Sequence, residues 1–262
     1  MARSFKTRLF LILFLSGFAG VLTLLLVDLS AMVALVPVPA GSEPLIITPA
    51  IKILALIQPA VLLLVAVIIG IALAPKVGLS APFAECLAAG GQCLPALRTQ
   101  VKPGLIGAII GALAIVLTSL AFRPFFTTQT IERSREIATL VPLPMRLLYG
   151  GVAEELLLRW GFMTLMVWAA WRVFGKRIIK PTKTYFVAAI LISSLVFGAG
   201  HLPIALVLIP GSSSALIPFV IIANSAFGVV AGYLYWKYGL EAAVIAHMVC
   251  HVFLAVAQYA GL

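Results

Sequence analysis

Long apolar runs, nearly empty of charge, recur along the whole chain and leave it few possible folds. Seven can be drawn, over about residues 9–36, 53–74, 104–123, 145–171, 185–207, 214–236 and 240–260. A hydrocarbon core about 30 Å thick needs about 20 residues of apolar helix to cross it. Inside a bilayer the backbone has no water to bond, so only helices or a closed barrel can span. A barrel would alternate apolar and polar residues in segments of about ten, and these runs do not alternate. Of the 262 residues, 63% are hydrophobic and only 10% charged, whereas a soluble domain carries about 25% charged residues. The chain is expected to be an all-α, polytopic membrane helical bundle of about seven transmembrane helices, with an eighth if residues 81–97 or 125–144 dip into the membrane. A single integral membrane domain over 1–262 is expected, because no internal repeat or low-complexity tract divides it.

Prolines at 37, 39, 75, 103, 124, 181 and 210 fall at or near the breaks between runs, where a missing N–H does least harm. Basic residues precede the first run in MARSFKTRLFLILF. That run continues past the 7–15 residues of a signal-peptide core, so it reads as a retained helix. The formal charge of +10 would suit a nucleic-acid binder, but the cations sit at helix ends rather than along one face. No nucleic-acid partner is expected, and the cations report topology instead. With the N-terminus cytoplasmic, the inner segments hold Arg3, Lys6, Arg8, Lys76, Arg98, Lys102, Arg172, Lys176, Arg177, Lys180, Lys183 and Lys237. The outer segments then hold Lys52, Arg123, Arg133, Arg135 and Arg146, five against twelve. The positive-inside rule favours this orientation, in a plasma (inner) membrane. Cys86 and Cys93 fall in an inner loop, where a reducing compartment keeps thiols free. A disulfide there would mean an inverted topology or a translocated loop.

Within the spans the ionisable residues are Asp28, Glu154, Glu155, Arg159, His201, His247 and His251. An ionisable group inside a span marks a functional site by default. Glu155 and Arg159 are i,i+4 with the acid first, the favoured order for a pair. Glu154 lies about 100° round an α-helix from Glu155 and needs another partner. Phe197 and His201 are one turn apart, as are His247 and His251. Two imidazoles at i,i+4 can face one centre. Asn224 is the one strongly polar residue inside the sixth span, beside a Gly228-x-x-x-Gly232 seam that permits close helix contact. Glutamate and imidazole together can activate water, bind a metal, or do both. Asp28 is expected near an interface or bonded to backbone, and 125–137 as an exposed loop or interfacial helix.

Glu154-Glu155-x-x-x-Arg159, Phe197-x-x-x-His201 and His247-x-x-x-His251 together resemble the CPBP intramembrane proteases, which include CAAX prenyl endoproteases and abortive-infection-like membrane proteins. The resemblance covers about 145–256. It implies an endopeptidase that hydrolyses a peptide bond of a membrane-associated substrate, a prenylated CAAX protein being one candidate. It gives Glu154 the role of general base for water, which His201 orients. His247 stabilises the oxyanion or ligates a metal. Glu155 and Arg159 act as a structural pair, and Phe197 as a packing residue. The family usually has Asn where this chain has His251, which puts an oxyanion role for that position in doubt. It also makes a divalent metal such as zinc, held by Glu154, His201, His247 and His251, more plausible. The expected partners are membrane lipid and a membrane-associated protein or peptide. Two other readings compete: a non-catalytic scaffold or immunity-type protein of the same fold, and a proton- or metal-coupled transporter. The scaffold would tolerate loss of Glu154 and His247 together, whereas a transporter would use intramembrane Glu and His as a proton relay.

Overall fold

The computed structural model describes residues 2–36, 46–175, 179–209 and 214–259. Pro37, Pro39, Pro210, Lys176 and Arg177 lie outside the described residues. The protein is an all-helical, polytopic membrane bundle. Six helical stretches are long and apolar enough to cross a membrane: Arg3–Leu26, Pro49–Val77, Leu94–Phe125, Lys183–Leu208, Leu216–Lys237 and Leu240–Gln258. The charged helix between the third and fourth of these packs inside the same bundle, against the first, second and last of the six.

In chain order, α1 is Ala2–Leu22, α2 Leu29–Ala34, α3 Pro49–Leu54, α4 Ile57–Val77, α5 Pro82–Ala89, α6 Leu94–Phe122 and α7 Thr128–Leu140. The charged helix α8 covers 143–174. It is followed by α9 Lys183–Gly200, α10 Leu202–Leu208, α11 Leu216–Lys237 and α12 Leu240–Tyr259. The first crossing ends earlier than the hydropathy implies, at Leu26. There Asp28 caps α2, accepting a hydrogen bond from the Ala31 N–H at 3.0 Å, which satisfies an orphan donor of the new helix. α7, at 13 residues, is too short to cross and lies as an amphipathic segment over 128–140. No eighth crossing forms among the described residues.

The packing follows membrane logic, in which small residues rather than large ones sit at helix contacts. On α6, Gly104, Gly107, Ala108, Gly111 and Ala112 are buried while Ile106, Ile109, Ile110 and Leu113 are exposed. A Cβ at Gly104 would meet Ile245, at Gly107 Leu234 and at Gly111 Phe227, so α6 lies flush on α11 and α12. The same device encloses α8. A Cβ at Gly20 of α1 would sit 2.3 Å from the Leu148 carbonyl, one at Gly161 2.5 Å from Ala66 of α4, and one at Gly151 2.3 Å from Met248 of α12.

Cys86 and Cys93 form a disulfide across the α5–α6 turn, with Cα atoms 5.5 Å apart. This corrects the expectation of free thiols. α5 ends at Gly90 in the left-handed conformation, φ +77°, which folds the chain back and brings the two sulfurs together. The turn also docks on the start of α12, where Glu241 accepts from the Ala84 N–H at 2.9 Å and the Leu240 N–H donates to Ser80 at 3.1 Å. Chain order puts this turn on the same face of the bundle as the N-terminus. That face is called proximal here, and the opposite one distal.

Candidate active site

The charged helix does not keep α-helical geometry. Arg146–Ala153 and Leu156–Met163 are π-helical, with Glu154 and Glu155 at the junction between them. π-turns are rare and concentrate at functional sites. The wider turn changes which residues share a face: the Glu154 N–H donates to Tyr149, five residues back. Sequence spacing read as α-helix could not show this.

The two glutamates have different surroundings. Glu155 is fully buried and holds two cations or potential cations at once. Its Oε2 lies 3.2 Å from Arg159 Nε, and its Oε1 lies 2.8 Å from His247 Nδ1. Glu155 is thus more than half of a structural pair, because it also fixes the His247 ring. Arg159, also fully buried, donates from Nη2 to the Gly228 carbonyl at 3.1 Å and lies 5.0 Å over the Phe197 ring. Its Nη1 has no hydrogen-bond partner among the described residues. Gly228 matters here because its missing side chain lets α11 approach Ser194 of α9 and brings its carbonyl to the guanidinium. Glu154 is half-buried and faces open space, lining two cavities.

The three histidines gather around Phe197 and Phe227. His201 packs edge-on against Phe197 at 4.8 Å between ring centroids, and His247 likewise at 5.9 Å. His247 also packs on Phe227 at 4.4 Å and stacks on His251 at 4.8 Å. His251 abuts Gly150, where a Cβ would come within 2.7 Å of its Nε2. The ring tautomers follow from the bonds. His201 Nδ1 lies 2.8 Å from the Phe197 carbonyl, which can only accept, so Nδ1 carries the proton. His247 Nδ1 faces a carboxylate, so it too carries the proton. In their neutral forms both rings therefore present a bare Nε2 lone pair.

The cavities meet at Glu154 and His201. One, of about 350 Å³, is lined by Glu154, His201, His247, His251, Asn224 and Tyr149 among others. The other, of about 640 Å³, is more apolar and runs from Glu154, His201 and Asn224 to Leu24, Lys52, Ser134 and Leu208 on the distal face. α7 roofs it: Arg133 donates to the carbonyls of Leu35 and Leu208 and pairs with Glu136 at 3.1 Å. Bare Nε2 atoms and a carboxylate are donors of the right kind for zinc. Among the described residues no group of three or more His, Cys, Asp or Glu is placed to hold an ion. Tyr149 and Phe227 escaped the sequence reading, since each acts only through tertiary contact, whereas the roof helix lies where a loop or interfacial helix was expected over 125–137.

Residues 136–253 match the Rce1-like family, type II CAAX prenyl endopeptidases. Over this region the chain is similar to the CPBP intramembrane proteases, the family that the sequence motifs resemble. The match spans the end of the roof helix, all of α8 and the three histidine-bearing segments, so it contains the whole cluster built above. No curated protein and no solved structure matches the chain.

Proposed function

We propose that the chain is an intramembrane endopeptidase in which Glu154 activates water against a peptide bond of a membrane-associated substrate. The observation that carries this reading is the division of labour between adjacent glutamates: Glu155 is committed to Arg159 and His247, while Glu154 opens into the cavity beside His201. A water there can donate one O–H to Glu154 and the other to His201 Nε2, leaving a lone pair aimed away from both. It attacks the scissile carbonyl carbon and its proton passes to Glu154. The C–N bond then breaks, and Glu154 returns that proton to the leaving nitrogen. His247 becomes a donor to the oxyanion only when its Nε2 is protonated, with Glu155 as its counter-ion. His251 stacks behind His247 and shapes the chamber.

One integral membrane domain over 1–262, with 145–256 as catalytic core, is part of this proposal. So is a cytoplasmic N-terminus in a plasma (inner) membrane, on the charge distribution. Among the described residues ten Lys and Arg lie on the proximal face and five on the distal face. The Cys86–Cys93 disulfide points the other way, since disulfides form on the oxidising side. The charge bias sums over every loop, whereas the bridge is local to one turn. The test of the activity is cleavage of a farnesylated CAAX peptide by purified protein, wild type beside Glu154→Gln, with and without chelator. Cleavage lost in the variant is expected; a fully active Glu154→Gln sinks the mechanism.

A further inference from the structure

Hydrolysis builds negative charge on the former carbonyl oxygen, and the site must donate hydrogen bonds to it. The imidazoles supply few. His201 Nδ1–H is spent on the Phe197 carbonyl and His247 Nδ1–H on Glu155, so both neutral rings offer acceptors to the cavity. Arg146 is turned to the carbonyls of Val141 and Ala138 and to Gln258. A donor is needed that stays protonated whatever the state of the histidines.

We infer that Asn224 of α11 is that donor, its side-chain amide hydrogen-bonding the oxyanion of the tetrahedral intermediate. This rests on the peptidase reading above. Asn224 lines both cavities, and so do Glu154 and His201. α11 and α12 run in opposite directions and touch where Phe227 packs on His247. Asn224 lies one turn from Phe227 toward the distal face, and His251 one turn from His247 the same way, so the two stand at one level of the chamber. The amide is oriented by its own helix. Nδ2 donates to the Val220 carbonyl at 2.8 Å, an acceptor only, which fixes nitrogen rather than oxygen on that side. The second N–H has no protein partner among the described residues. It is a neutral donor on a rigid helix, with one proton spent on holding the group in place. Tyr149 also lines both cavities, but it sits five residues before Glu154 on the same π-helical face, so its hydroxyl belongs to the side of the base.

The test compares Asn224→Thr, Asn224→Gln, Tyr149→Phe and Glu154→Gln with wild type on the farnesylated CAAX peptide. It also measures binding of a peptide phosphonate, a tetrahedral anion, against the parent peptide. Threonine can keep the bond to the Val220 carbonyl four residues back but removes the cavity donor. The expected result for Asn224→Thr is a kcat lower by about 10²–10³-fold with KM little changed. Phosphonate affinity should fall by a similar factor and peptide affinity should hold. Asn224→Gln, which restores an amide, should recover part of the loss. The inference is overturned if Asn224→Thr keeps wild-type kcat, if its loss lies in KM alone, or if Tyr149→Phe carries the loss instead. An active Glu154→Gln, or a folded wild type that cleaves nothing, overturns the peptidase reading and takes this assignment with it.

Discussion

Glu155→Gln should unfold the protein far more readily than Glu154→Gln, although the two residues are neighbours in sequence. Glu155 and Arg159 are both fully shielded from solvent. The guanidinium cannot lose its proton, so its charge stays buried whatever replaces its partner. Glutamine can still accept from His247, but its amide then turns a donor toward Arg159 Nε. What remains for Arg159 is the Gly228 carbonyl and the Phe197 ring. Removing one member of a buried pair costs about 3–5 kcal/mol. At about 2–4 °C per kcal/mol for a chain of this size, the midpoint should fall by roughly 6–20 °C. Thermal unfolding in one detergent, followed by circular dichroism, reads this directly. Glu154 has no such partner and faces a cavity, so Glu154→Gln should cost under about 1 kcal/mol. The double variant Glu155→Gln with Arg159→Met removes the stranded charge and should be more stable than Glu155→Gln alone, a coupling of about 1–3 kcal/mol. Additive single variants, or a Glu155→Gln midpoint within about 2 °C of wild type, would refute the reasoning.

Gly20→Val should destabilise by about 1–3 kcal/mol, because its Cβ falls 2.3 Å from the Leu148 carbonyl, which is backbone and cannot rotate away; the same unfolding assay reads it. Arg133→Ala should speed amide hydrogen exchange across α7 about tenfold or more, since hydrogen bonds from a charged donor contribute about 1.5–3 kcal/mol each and Arg133 makes two to neighbouring segments. Unchanged exchange over 128–140 would remove Arg133 as the tie of the roof. In intact cells, a membrane-impermeant maleimide should label a cysteine placed at Ser134 and spare one placed at Lys180; the reverse pattern would invert the proposed orientation.

Much of the bundle was legible because hydropathy is a property of each segment by itself. The runs at 185–207 and 214–236 lie within a few residues of Lys183–Leu208 and Leu216–Lys237. The errors fall where a tertiary contact overrides local composition. α6 starts at Leu94, ten residues before the run drawn from 104, because Pro103 is accommodated inside the helix. The first helix stops at Leu26, and Asp28 begins a new one. The charged cluster was visible as residue types at helical spacing. The bond from Glu155 to His247 was not, because it joins residues 92 apart in sequence. Nor could Asn224 be given a partner from sequence, since its role depends on the depth at which α11 crosses α12.

The π-helical turns of α8 and the glycines around it account together for charge within a membrane span. Widening the helix on either side of Glu154 and Glu155 turns one carboxylate inward to Arg159 and His247 and the other toward the cavity. Gly20, Gly151 and Gly161 allow three helices to close tightly on α8, and Glu155 and Arg159 are fully buried behind His247. On the other side the apolar cavity extends to residues of the distal face, under α7. In the proposed peptidase, substrate entering along this cavity would come from the face opposite the basic belt and the Cys86–Cys93 turn. With the N-terminus cytoplasmic, substrate tails must be presented from outside the cell's reducing compartment; a prenylated cytoplasmic tail would require the inverted orientation that the disulfide favours. The maleimide pattern at Ser134 and Lys180 thus decides the source of the substrate as well as the topology.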